Sequence, residues 1–344
     1  MSFSHPEARP HAGREGPFLV VGYGGIGDHV RCLALVRHVA AVHPGSAIDF
    51  LCRSPVDQIV RFAPEVRKAV VDDTPHRRLG VRAKIHLSAR LRQERYRRVY
   101  VISRTFKSAV LPFLAGIPER VGWLGEGRVL LINRIRTGER RHRGETEKIC
   151  ALAGAGWSEH LAPRLVVEPT EMEAWRARTL DPACNAPILA LAPGAHNAAR
   201  QWPAERYGVI AQRFADRGWR IWVLGGPHER GACDIIAGMT PVRDFTGVPL
   251  AEAVLQIRAA DLFLGSDSGL LHLAGAVGTP SVGLFGPFPP EVSGPRNVCV
   301  TRLRPSNGGS ALNDIGVDEV ERELLGRISC VAPAMSAFSF SEEC

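Results

Sequence analysis

Phe18-Leu19-Val20-Val21-Gly22-Tyr23-Gly24-Gly25-Ile26-Gly27-Asp28 is the stretch that decides the architecture. Four apolar residues run together, a glycine-rich turn follows, and a helical pattern occupies Gly27–Val42. A short unbroken apolar run of this kind reads as a strand buried on both faces. Strand, tight turn and helix in that order open an α/β unit. The alternation continues outward. Ala47–Cys52 is a second strand, and Ser54-Pro55 reads as an N-cap followed by proline at the first helical position. Ala69–Val71 and Val99–Ile102 are further strands, with Arg-rich helical sequence between them. The pattern restarts after Val166-Val167-Glu168-Pro169. A helix from Pro169 through Leu180 precedes strands at Ile188–Ala192, Arg220–Leu224, Asp261–Leu264 and Ser281–Phe285. Helices at Ala204–Arg217, His228–Gly238, Leu250–Ala259 and Ser268–Val277 interleave with them, and a last one covers Val317–Arg327. The expected fold is α/β, with two Rossmann-like domains, 17–168 and 169–330, facing a central cleft. A disordered tail, 1–16, and a flexible tail, 331–344, flank them.

The composition agrees. A chain of 344 residues with 45% apolar and 23% charged residues suits two ordinary globular domains. No stretch approaches the run of about 20 apolar residues that a membrane-spanning helix needs. Met1 to Gly16 is polar, carries Pro6, Pro10 and Gly13, and lacks the apolar core of a signal peptide. The expected location is cytoplasmic, with a peripheral place at the inner membrane compatible. The eight cysteines are scattered without a CxxC pair or zinc spacing, and read as free thiols.

Charge is distributed unevenly. From His76 to Arg143 there are 18 Arg and Lys against four Glu, although the whole chain is only +8. Such asymmetry points either to an acidic partner or to a solvated basic face. Nucleic acid is a poor candidate, because the segment has few aromatic residues and no nucleic-acid-binding motif.

The first glycine turn is ambiguous. Gly22 to Gly27 matches the dinucleotide fingerprint G-x-G-x-x-G in its strand-to-helix context, and Arg53 after the second strand suits a 2′-phosphate. An NADP-dependent oxidoreductase is therefore one reading. Asp28 argues the other way, since a carboxylate at the helix start disfavours a bound pyrophosphate. The same carboxylate suits a general base, or simply a helix cap.

Ligands of open α/β sheets bind beyond the carboxyl ends of the strands. In the second half, three loops there carry suggestive residues. Pro193-Gly194-Ala195-His196-Asn197-Ala198-Ala199-Arg200 combines backbone amides with one cation, a good diphosphate site. Gly225-Gly226-Pro227-His228-Glu229 places Glu229 where it suits ribose hydroxyls or the start of a helix. Gly265-Ser266-Asp267-Ser268-Gly269-Leu270-Leu271-His272 opens a helix at Ser268 and Gly269, an anion-binding arrangement. Asp267 either orients that loop or touches a ligand, and His272, one turn in, either faces the ligand or is a core residue.

Taken together these residues resemble glycosyltransferase family 9, the ADP-heptose:lipopolysaccharide heptosyltransferases. The resemblance runs from Phe18 to Leu325 and is strongest over Asp261–Pro287, with Gly278-Thr279-Pro280 and Leu284-Phe285-Gly286-Pro287. Pro193-Gly194-Ala195, Arg200-Gln201-Trp202-Pro203, Leu224-Gly225-Gly226-Pro227 and Asp244-Phe245-Thr246-Gly247 match in order, and Gly27-Asp28 completes the set. The resemblance implies the GT-B fold and an inverting, metal-independent transfer with no cofactor. The first domain takes the acceptor and the second the nucleotide sugar. It implies Asp28 as catalytic base and Arg200 as the contact to the diphosphate. Gly194, Ala195, His196, Gly226, Glu229, Asp267, Ser268, Gly269 and His272 are implied on the donor side, and Gly25, Gly27 and Arg31 on the acceptor side. An anionic glycolipid is the implied acceptor, with a protein or a small natural product as alternatives within the family. A non-catalytic nucleotide-sugar-binding protein is a further alternative. Two departures stand out. Arg200 occupies a position more often Lys, and the first helix reads Val30-Arg31-Cys32-Leu33-Ala34 where the family shows Thr and Pro.

Overall fold

The structure, a computed structural model, describes residues 16–74, 81–154, 156–195, 197–306 and 309–335. The chain divides into two compact units, Met1–Val166 and Val167–Cys344.

The first unit runs β1 (Phe18–Val21), α1 (Ile26–Val42), β2 (Ile48–Cys52), α2 (Asp57–Val60), β3 (Lys68–Val71) and α3 (Val81–Gln93). It continues with β4 (Arg98–Val101), α4 (Phe106–Leu114), β5 (Glu119–Trp123), β6 (Arg134–Arg136) and α5 (Glu145–Ala151). The second runs α6 (Pro169–Thr179), β7 (Ile188–Ala192), α7 (Ala204–Ala215), β8 (Arg220–Gly225), α8 (Arg230–Ala237), β9 (Arg243–Thr246) and α9 (Leu250–Ala259). After these come β10 (Leu262–Ser266), α10 (Gly269–Val277), β11 (Ser281–Leu284), α11 (Pro290–Ser293), β12 (Val300–Leu303) and α12 (Val317–Met335).

Both sheets are wholly parallel and share one topology. The first is ordered β3-β2-β1-β4-β5-β6. The second is β12-β11-β10-β7-β8-β9, which read from the other side is the same order. Each sheet therefore reverses direction once, between β1 and β4 and between β7 and β10, and a crevice opens beyond the strand ends at such a point. Central strands are buried along their whole length, as a sheet covered on both faces requires. One core gathers Leu19, Leu51, Val99, Val101 and Ile117; another gathers Leu189, Tyr207, Phe214, Val223, Leu264 and Leu324.

Some sequence expectations shift. Ser54-Pro55 does not open a helix: the peptide is cis, and α2 begins later, at Asp57. Pro227–Glu229 is a separate 3-10 turn, so α8 starts at Arg230. The last helix runs through Met335, past the expected domain end at 330, and 336–344 lie outside the described residues, as does nearly all of the expected N-terminal tail. Three of the strands not expected from the sequence, β6, β9 and β12, are sheet edges with charged or exposed residues. An edge strand is buried on fewer sides and needs no continuous apolar run.

Candidate active site

In the first unit the turn after β1 delivers Asp28 at the start of α1. Gly24 takes a left-handed φ of 73°, a conformation that favours glycine. A Cβ there would sit 2.0 Å from Asp28 Oδ2, so the turn closes tightly over this carboxylate. Asp28 Oδ2 accepts the Gly25 N–H at 2.8 Å, and Oδ1 pairs with the Arg31 guanidinium, which is nearly buried. Asp28 thus caps α1 from its third helical position, the one half of a capping box that a glycine N-cap permits. The cap is real, and it also fixes the carboxylate in one place, with lone pairs left on both oxygens. The side chain keeps 27% exposure, enough for a ligand hydroxyl to reach it. Tyr23 adds a neutral phenol nearby, its pKa raised by burial and by Cys32 and Asp28. His29 is buried, which pushes its pKa down, and its Nδ1 lies 2.8 Å from the Gly25 carbonyl.

This geometry answers the dinucleotide reading. The Gly25 N–H at the mouth of the helix is already taken by the Asp28 carboxylate, leaving a negative charge where a pyrophosphate would lie. Arg53, the candidate for a 2′-phosphate, donates from Nη2 to the Thr74 carbonyl at 2.5 Å.

In the second unit, the loops after β7 and β10 meet across the switch point. Asn197 Oδ1 accepts the Ala199 N–H at 2.9 Å and starts the short turn Ala198–Arg200. Gln201 Nε2 donates to the Ala195 carbonyl at 2.8 Å. Trp202 is buried against Tyr207, ring centroids 5.0 Å apart, and donates to the Ile315 carbonyl at 3.1 Å. Tyr207 reaches across to Ser266, oxygen to oxygen 3.0 Å. These contacts fix Arg200, whose Nη1 lies 3.0 Å from Asp267 Oδ2. Asp267 is buried and also accepts from Ser293 Oγ at 3.2 Å. Ser268 caps α10 in an extended conformation, with its Oγ buried and without a hydrogen-bond partner. Gly269 is the first residue of that helix. His272 is buried one turn on.

Glu229 lies beside the same crevice. Its side chain covers Gly194, where an added Cβ would come 2.2 Å from Glu229 Cγ, and Gly226, 3.1 Å from Oε2 by the same measure. A cleft of about 400 Å³ is lined by Pro193, Gly194, Gln201, Trp202, His228 and Glu229 among others. The structure pairs Arg200 with Asp267, packs Glu229 on Gly194 and Gly226, and opens α10 at Ser268 and Gly269 directly after Asp267. His196 lies outside the described residues. Sequence reasoning missed Phe288, whose ring lies 4.2 Å beneath the Arg200 guanidinium carbon, and Ser293. The Pro-rich run Gly286-Pro287-Phe288-Pro289-Pro290 was the signal available.

The basic segment serves the fold more than its charge suggests. Arg128 is fully buried and donates to the carbonyls of Ser103, Thr105 and Trp123, tying together the segments that follow β4 and end β5. Arg120 donates to the Ile117 and Leu131 carbonyls, and Arg98 pairs with Glu119. Arg82, Arg90, Arg140, Arg141 and Arg143 remain exposed.

Comparison with known proteins agrees with this site. The family model for glycosyltransferase family 9 (heptosyltransferase) matches residues 85–311. Lipopolysaccharide heptosyltransferase 2 of Escherichia coli K12 is 31% identical over 296 residues, covering 80% of this chain and 84% of that protein. The solved E. coli ADP-heptose lps heptosyltransferase II aligns with a TM-score of 0.80 at 29% identity, over 92% of this chain and 99% of the other. A family 9 glycosyl transferase from Veillonella parvula shares the fold at a TM-score of 0.81 with 15% identity, over 91% and 97% of the two chains. With its two doubly wound parallel sheets, this chain belongs to glycosyltransferase family 9, the heptosyltransferases, and is a glycosyltransferase of the GT-B class.

Proposed function

We propose that this enzyme transfers a heptose from ADP-heptose to a hydroxyl of the lipopolysaccharide core, with inversion and without a metal ion or cofactor. The observation that carries the donor assignment is the Arg200–Asp267 pair spanning the β7/β10 switch point, in the same unit as the Glu229 side chain that packs on Gly194. Arg200 and the amides of Ser268 and Gly269 receive the diphosphate, Glu229 holds the ribose, and Asp267 and His272 complete the sugar side. The relatives named lipopolysaccharide or ADP-heptose heptosyltransferases support this donor and acceptor.

Asp28 is the base, with Gly25, Gly27 and Arg31 on the acceptor side. Its carboxylate takes the proton of the acceptor hydroxyl as that oxygen attacks the anomeric carbon. The bond from that carbon to the diphosphate breaks, and its electron pair leaves with ADP. Arg200 and the helix amides stabilise the charge that builds on the departing group. Donors of this kind replace the metal that other transferases use.

The acceptor is an anionic glycolipid, and the enzyme works peripherally at the inner face of the membrane. In support, exposed arginines of the first unit accompany the exposed apolar residues Ile85, Phe106, Phe113 and Leu130. Among the described residues no helix is long and apolar enough to cross a membrane.

The test is calorimetric titration with ADP, GDP, UDP and NADPH in EDTA, followed by turnover with ADP-heptose. Selective ADP binding, turnover that survives EDTA, and a rate about 10²–10⁴-fold lower in Asp28→Asn are expected. Tight NADPH binding without a response to ADP contradicts the assignment.

A further inference from the structure

We propose that Phe288 is a positioning residue for the donor diphosphate: its ring is a platform that holds the Arg200 guanidinium in its binding orientation before the donor arrives. The inference rests on the reading of Arg200 given above.

Arg200 is held on two sides. Its guanidinium carbon lies 4.2 Å over the Phe288 ring, and Nη1 lies 3.0 Å from Asp267 Oδ2. Its Nε is buried without a hydrogen-bond partner, so the guanidinium keeps a donor unspent. Arginine loses substantial rotamer freedom when fixed. A planar face beneath the guanidinium removes that freedom in advance, so less ordering is left for the moment of binding. Ring stacking also leaves the edges of the guanidinium open, unlike a second carboxylate, which would occupy them.

Phe288 suits this part because it is itself restrained. Pro287 precedes it and Pro289 follows it, which limits its backbone to extended conformations. Pro289 is the N-cap of α11, and Ser293 at the end of α11 donates to Asp267, the carboxylate partner of Arg200, at 3.2 Å. One short segment thus supports both members of the ion pair. The ring is 37% exposed, so its size and polarity can be altered without opening a core.

The test is ADP titration of the full chain carrying F288L, F288W, R200A and R200A/F288L, each first checked for an unchanged thermal transition. F288L keeps apolar bulk but loses the ring face, and should weaken ADP binding about two- to fivefold, the range of an exposed cation–π contact. F288W should bind ADP as well as the parent or better. In the R200A background the F288L change should have no further effect. Equal affinity of F288L and the parent, or the same loss in the R200A background, overturns the platform, since the ring would then act by bulk or on the ligand directly. If R200A alone binds ADP like the parent, the reading of Arg200 fails and takes the platform with it.

Discussion

Replacing Gly24 with Ala tests whether Asp28 works as a fixed base. Gly24 has a φ of 73°, and an L-residue forced into that region costs about 1–2 kcal/mol. The added methyl would also sit 2.0 Å from Asp28 Oδ2, closer than any stable contact. The carboxylate must then rotate away, breaking its 2.8 Å bond from the Gly25 N–H and disturbing its pair with Arg31. The expected stability loss lowers Tm by about 2–8 °C for a unit of this size. Turnover should fall much further, by about 10²–10⁴-fold, because a displaced base no longer meets the acceptor hydroxyl. ADP affinity should not change, since its proposed site lies in the other unit. Gly25→Ala is the control for stability alone. There φ is −86°, and the methyl would lie 4.0 Å from the same oxygen, so the turn accommodates it. Thermal melting, ADP titration and ADP release with an acceptor separate these effects. A Gly24→Ala enzyme that melts a few degrees low but turns over at the parental rate would refute the reasoning.

Three further outcomes are expected. Gly194→Ala pushes the Glu229 side chain off its present site, so ADP affinity should drop about tenfold with little change in Tm; calorimetry reads both the loss and its absence. Arg128→Met leaves the Ser103, Thr105 and Trp123 carbonyls without this donor, and should cost about 2–3 kcal/mol in denaturant unfolding while raising acceptor KM and sparing ADP binding. Burial lowers the pKa of His29 from 6.5, so the unfolded chain takes up this proton first as the solution is acidified; the stability gained from a neutral His29 is full above that value and is lost as pH falls below it. His29→Gln should therefore flatten the fall in Tm between about pH 7.5 and 5.5, and an unchanged slope speaks against this.

Much of the fold was legible because central parallel strands are buried on both faces. Ile188–Ala192 and Phe18–Val21 had to be continuous apolar runs, and they were read within a residue of their limits. Edge strands such as Arg134–Arg136 carry no such obligation and were missed. The site loops were legible for a related reason. Glycine, proline and single charges cluster where strands end, and nothing in core packing calls for them there. What the sequence could not show was pairing. Asp267 had two readings, and only the folded chain brings Arg200 onto one of its oxygens. Phe288 was overlooked because its function depends on a residue far away in the chain. The basic segment misled in the opposite direction: Arg128 looks like surface charge in a count, yet it is wholly buried among carbonyls.

The repeated strand order has a consequence for how such an enzyme changes over generations. Each half completes its own interior, and α12 closes on β10, β11 and α7 of the second half. Substitutions that retune one crevice therefore need no compensating repair inside the other half. On the division proposed above, recognition of the sugar donor can stay under strict selection while the acceptor half drifts toward new hydroxyls.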